Sequence, residues 1–272
     1  MLRERLVVAI ILIPAGIGFI AAGGWYFTLF ITAILCVAAW EFGQIFQSGG
    51  HKPATFLLIA GVGILVISRK IFTIEISGAV LAGLILMVTA WHTLAYEKGR
   101  DAAATDFVVT LGGLLYLGWL GGYFVSLREI SGGEWWLLVM ILSIAIGDAL
   151  AYSIGRRWGK HKMAHRVSPN KSWEGWIAGA VGSALGGWLL AALWNLVYPT
   201  MQPIHGLISG TVMGILAPLG DFGESMLKRQ FGVKDSGRLF PGHGGVMDRI
   251  DSWLWAAVIG YYLVTWLIFP IF

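Results

Sequence analysis

Polar and apolar positions alternate along this chain on a long scale. Apolar runs of roughly 15 to 25 residues are separated by short polar connections, and about 20 helical residues cross a hydrocarbon core about 30 Å thick. Nine runs fit, at about 5–22, 25–46, 54–68, 71–94, 105–127, 135–155, 175–199, 204–227 and 252–270. The pattern predicts an all-α polytopic integral membrane protein with about nine transmembrane helices. The third run is short. The first ends in small residues, as a secretory signal does, but another apolar run follows at once and it reads as a helix. Most connections are short. Two are long and polar, at about 156–174 and 228–251, and they flank runs seven and eight.

Composition agrees with this pattern. Hydrophobic residues make up 57% of the 272 residues and charged residues 12%, where a soluble domain carries about 25% charged residues. Mean hydropathy is +0.75. Fourteen Trp and thirty-eight Gly suit membrane interfaces and spanning helices. The single cysteine, Cys36, lies in an apolar run and reads as a packed thiol. A net charge of +4 points to cytoplasmic basic loops rather than to nucleic acid. With nine spans and the N-terminus inside, sixteen of the nineteen Lys and Arg fall on the cytoplasmic side; only Arg69, Lys70 and Arg128 fall outside. The positive-inside rule therefore favours N-in, C-out.

The polar segments divide the chain into N-terminal helices over 1–70 serving as support or oligomer surface, middle helices over 71–134, and a catalytic region over 135–272 with its two basic loops. Ionisable groups inside spanning runs are costly and mark function by default. Glu41, Asp148, and Asp221 with Glu224 are such groups. The topology gathers them towards the cytoplasmic third, beside the basic loops. Asp221 and Glu224 are three apart and can share a helix face. Pro218 and Gly220 just before them loosen the helix. Asp248 and Asp251 are likewise three apart at the start of the last run. Carboxylates are hard ligands suited to Mg²⁺, which keeps waters and takes substrate phosphates. A salt bridge or an interhelical hydrogen bond would account for each acid singly.

In PGHGGVMDR, the glycines let backbone amides face an anion ahead of a helix N-terminus. His243 can donate to a phosphate or a leaving group, or simply order the loop. The chain has no GxxxxGK[ST] phosphate cradle. In the other loop Ser168-Pro169 opens a turn, and Lys171, Ser172 and Glu174 reach the membrane surface. Six cations there could anchor anionic lipid. Together with buried acids they describe phosphoryl transfer at a membrane, where catalysis is positioning and charge neutralisation.

From Ser225 to Asp251 the text SMLKRQFGVKDSGRLFPGHGGVMDRID resembles the signature of phosphatidate cytidylyltransferases, the CDP-diacylglycerol synthases. The match runs through Ser225, Lys228-Arg229, Lys234-Asp235, Pro241, His243-Gly244-Gly245, Asp248-Arg249 and Asp251. Gly147-Asp148, Ala151-Tyr152, Gly155-Arg156, Gly159-Lys160 and Ser168 to Gly175 are also similar to the family. Asn170 and Ser172 stand where it usually has Lys and Thr, and Ala178 where Gly is common. The N-terminal half matches mainly in span pattern and in Trp40-Glu41.

The resemblance implies cytidylyl transfer from CTP to phosphatidic acid, giving CDP-diacylglycerol and pyrophosphate. It further implies Mg²⁺ with K⁺ as a second cation, a homodimer, and a bacterial-type inner membrane with the active site facing the cytoplasm. On that footing Asp221 and Asp248 are expected to ligate Mg²⁺, with Asp251, Asp148 and Glu224 beside them. Lys228, Arg229, Lys171, Lys234 and Arg249 are expected on the phosphates and Gly244-Gly245 over them. Ser172, Ser225, Asp235 and His243 complete the expected site. A CTP-dependent polyprenol or phytol kinase and an ion-coupled transporter remain as rivals.

Overall fold

A computed structural model of the chain describes residues 13–237, 239 and 244–268. His243 and Pro241 lie outside the described residues, as do Arg3, Arg5 and Arg238. The first helix, α1, is described over Ile13–Ala22. There follow α2 (Gly24–Ser48), α3 (Thr55–Ile71), α4 (Ile74–Glu97), α5 (Ala103–Gly113), a π-helical turn (Leu114–Trp119), α6 (Gly122–Glu129) and α7 (Gly133–Trp158). Next come strands β1 (Lys162–Ala164) and β2 (Ser168–Ser172), then α8 (Trp173–Asn195), α9 (Pro203–Leu216), α10 (Pro218–Gln230), α11 (Met247–Leu263) and a second π turn (Val264–Ile268).

Among the described residues, six helical stretches are long and apolar enough to cross a membrane: Gly24–Ser48, Ile74–Glu97, Ala103–Glu129, Gly133–Trp158, Trp173–Asn195 and Pro203–Gln230. The protein is therefore a polytopic membrane protein. Against the nine runs of the sequence, α3 and α11 are helices of 17 residues each, and the described part of α1 is shorter still.

Local chemistry sets the helix boundaries. Thr73 caps α4, its side chain accepting from the Ile76 amide. Ser172 caps α8 by accepting from Gly175. Pro203 opens α9, where Gln202 and His205 form a reciprocal capping box. Each cap satisfies amides that have no partner within the helix. Pro218 divides the eighth apolar run into α9 and α10, because proline has no N–H to give and its ring crowds the preceding turn.

Ser168-Pro169 does not open a turn, contrary to the sequence expectation. Ser168 pairs with Ala164 and Ser172 with Lys162 in an antiparallel two-stranded ribbon. The residue before a proline is driven towards extended backbone, and a two-stranded ribbon has an outer edge where a proline costs no ladder bond. This ribbon is the one β element among the described residues.

By contacts the chain forms two compact units, and they are not sequential. The first comprises Met1–Glu129 with Leu227–Ile250, and the second Ile130–Met226 with Asp251–Phe272. The core of the first unit is built where α2 and α3 pack with the π turn, around fully buried Leu35, Leu58, Val62, Leu114 and Leu117. Gly118 sits against the Val62 backbone.

In the second unit α8 packs between α7 and α9 through small residues. A methyl group at Gly187 would lie 2.3 Å from the Gly206 carbonyl, and one at Gly210 2.1 Å from the Ser183 carbonyl. Lipid provides no hydrophobic drive between helices, so backbones that touch must supply the attraction by close packing.

Candidate active site

The signature stretch from Leu227 to Ile250 belongs to the first unit and is built around two carboxylates. Asp248 stands in the first turn of α11. Its Oδ1 pairs with the Lys228 ammonium. Its Oδ2 accepts from the Gly245 amide at 2.8 Å, the Ser236 amide at 2.9 Å and lies 3.0 Å from the Ser236 hydroxyl. Both side chains of the Lys228–Asp248 pair are about nine-tenths buried, so breaking the pair from one side would strand a charge away from water.

The second carboxylate comes from α2. Glu41 is fully buried. Its Oε1 accepts from the Val246 amide at 2.9 Å. Its Oε2 accepts from the Met247 amide and the Ser236 hydroxyl, each at 2.9 Å. Val246 and Met247 lie at the start of α11, where amides lack intrahelical partners and a negative charge is favoured by the helix dipole. Glycines make room for this contact. A methyl group on Gly237 or Gly245 would come within 2.4 Å of a Glu41 oxygen, and one on Gly244 within 2.4 Å of Asp248 Oδ2. Gly244 also has a φ of +78°, a conformation that side chains resist.

Around this frame Arg229, Lys234, Asp235 and Arg249 are exposed, and Phe231 packs against Phe46 and His51.

The second unit carries the other acids. Asp221 Oδ2 pairs with Lys171 Nζ at 2.6 Å, and its Oδ1 accepts from Ser225 Oγ at 3.1 Å. The Lys171 ammonium also lies 4.2 Å from the Phe222 ring centre, a cation–π contact. Asp148, on α7, is within electrostatic reach of both Lys171 and Asp221. Gly220 brings α10 against the Asp251 backbone, where a methyl group would sit 2.4 Å from its carbonyl. Asp221 and Glu224 differ sharply despite their spacing: the Asp221 side chain is 39% exposed, whereas Glu224 is fully buried.

Ser172 is also buried, capping α8. A methyl group at Gly159 would meet its Oγ at 2.3 Å, so the short side chain fits a close crossing. Glu174 holds His161, with 2.6 Å between Oε1 and Nδ1.

Among the described residues, no three His, Cys, Asp or Glu gather closely enough to hold a metal ion unaided. The donor chemistry nonetheless suits Mg²⁺. A carboxylate offers about four lone-pair positions, and Asp221, with one protein partner on each oxygen, has two to spare. Asp248 keeps capacity only on Oδ1. Single carboxylates completed by waters and substrate phosphates are the usual Mg²⁺ environment.

Two contributors stood outside the expected site. The sequence gathers Glu41 with the other acids beside the basic loops, but it does not show that Glu41 binds the signature backbone directly. Ser236 was not singled out at all. The signal that could have found them is the pair of glycines, Gly237 and Gly245, flanking a stretch that must approach something closely.

A model described as the cytidylyltransferase family matches residues 3–267. The chain is 33% identical to the phosphatidate cytidylyltransferase of Synechocystis over 97% of each chain. It is 34% identical to that of Brucella abortus, covering 96% of this chain and 92% of the relative. It is 33% identical to that of Pseudomonas aeruginosa over 98% and 97% respectively. A match of this length, with the signature framed around Asp248, places the chain in the cytidylyltransferase family.

Proposed function

We propose that this protein transfers the cytidylyl group of CTP to the phosphate of phosphatidic acid. A lipid phosphate oxygen bonds to the α-phosphorus, the bond from that phosphorus to the β-phosphate oxygen breaks, and pyrophosphate leaves with its electron pair. The observation that carries this reading is the buried Lys228–Asp248 pair set in a glycine-lined segment. It is a rigid polar frame suited to phosphates and embedded in a membrane protein.

The lipid phosphate is already ionised near neutral pH and needs little base catalysis. Catalysis therefore rests on holding charged groups in line. Lys228, Arg229, Lys171, Lys234 and Arg249 would hold phosphate oxygens, and the Gly244 and Gly245 backbone would close over them. His243 would donate to the departing pyrophosphate. Ser172, Ser225 and Asp235 complete the substrate contacts. When bound, Mg²⁺ would supply charge neutralisation at the phosphates, with Asp221 and Asp248 as its carboxylate ligands. Asp251, Asp148 and Glu224 would support them, and K⁺ would be a second cation.

The helices α1, α3 and α11 complete nine spans in this reading, with the N-terminus and active site cytoplasmic and the C-terminus outside. A homodimer in a bacterial-type inner membrane is its natural setting, so the lipid substrate never leaves the bilayer.

The test is turnover by detergent-solubilised protein given phosphatidic acid, Mg²⁺ and CTP labelled, in parallel assays, at the α- or the γ-phosphate. Label in CDP-diacylglycerol with matching pyrophosphate release is expected. Transfer of a γ-label to lipid, with CDP released, would overturn the proposal in favour of a kinase.

A further inference from the structure

We infer that Glu41 is a positioning residue for the transfer reaction, bracing the signature stretch from a helix about two hundred residues away in sequence. The inference rests on the proposed function and adds a residue outside the signature to the machinery.

Three donors converge on this carboxylate, and all come from residues 236–247: the Val246 amide, the Met247 amide and the Ser236 hydroxyl. An acid in an apolar helix is costly unless its oxygens are satisfied. That cost is offset only when the signature stretch is folded against α2. The contact is also tight, since a methyl group at Gly237 or Gly245 would collide with the Glu41 oxygens.

Ser236 joins Glu41 to Asp248. Its hydroxyl oxygen is 2.9 Å from Glu41 Oε2 and 3.0 Å from Asp248 Oδ2, and it has one proton to give. When the hydroxyl donates to Glu41, Asp248 is held by the Ser236 and Gly245 amides and by Lys228. Glu41 thus fixes both the start of α11, from which Asp248 projects, and the hydroxyl beside it. It touches no substrate itself in this account; it acts through Asp248 and the glycine backbone.

The experiment compares wild type with Glu41→Gln and Glu41→Ala. It reads cytidylyl transfer together with backbone hydrogen exchange by mass spectrometry. The glutamine variant keeps the shape but turns an acceptor into a donor facing the amides. A displaced catalytic group costs on the order of 100-fold. Expected are a fall in kcat of about 10- to 100-fold with the KM for phosphatidic acid within about threefold, and, among the described residues, faster exchange confined to 236–237 and 244–248.

Activity above half of wild type in both variants would overturn the inference. So would exchange that rises throughout the first unit in Glu41→Gln, because that assigns a general stability role. Wild type that makes no CDP-lipid but shows protected amides at 236–237 and 244–248, lost locally in Glu41→Gln, would reject the function while keeping the brace. Should the alanine variant fail to fold, the glutamine variant decides.

Discussion

The two units each present an aspartate paired with a lysine, yet the pairs differ in kind. In the first, Asp248 and Lys228 are about nine-tenths buried, and backbone amides fill the second carboxylate oxygen, Oδ2. In the second, the Asp221 and Lys171 side chains are 39% and 28% exposed, and each Asp221 oxygen has one protein partner. A buried, crowded carboxylate is a fixture: its neighbours hold it still and it holds them. A half-exposed carboxylate with spare lone pairs can take on a new ligand. The same residue types therefore serve in one unit as a frame that keeps a single open oxygen, Asp248 Oδ1, and in the other as a more open receptor.

The comparison can be broken most forcefully at the frame. Asp248→Asn should abolish detectable transfer and destabilise the first unit, since removing one partner of a buried pair costs about 3–5 kcal/mol. Transfer assays and thermal unfolding of the solubilised protein check both effects, and retained activity would show that the pair is no frame. Asp221→Asn should lower kcat by about 100-fold or more while leaving the unfolding midpoint within a few degrees. It should also raise the Mg²⁺ concentration needed for half-maximal rate.

Gly237→Ala should act like a damaged brace, because its methyl group meets Glu41. A loss of about 1–3 kcal/mol of stability from overpacking is expected, with reduced turnover, read by unfolding and kinetics. Lys171→Ala should weaken CTP binding by about tenfold, and Lys171→Arg should restore part of it, since the exposed pair contributes little to stability. KM for CTP reports this. Arg128→Ala should do least. Arg128 donates to the Ile20 carbonyl at 2.7 Å at the end of α1, so a small drop in melting temperature with unchanged kcat is expected.

Much of the fold was legible because a spanning helix writes its length and apolarity locally. The runs at 25–46, 71–94 and 135–155 correspond to α2, α4 and α7, and the break within the eighth run falls at Pro218. The ribbon at 162–172 was not legible, since three- and five-residue strands carry too little periodicity, and Ser168-Pro169 also fits a turn. The signature announced Asp248, Lys228 and the glycines. It could not announce Glu41, because hydropathy marks an acid as costly without saying which distant donors satisfy it. Nor could spacing reveal that Asp221 and Glu224, three apart on α10, would differ so completely in exposure.

The link between Glu41 and Ser236 spans 195 positions, and this has a consequence for how the protein is made. At about 5–20 residues per second, translation leaves the glutamate without its donors for roughly ten to forty seconds. Over that interval the growing chain must keep the acid beside water or against a neighbouring helix. A stretch made about two hundred residues later thus supplies the polar partners that α2 needs for its buried acid.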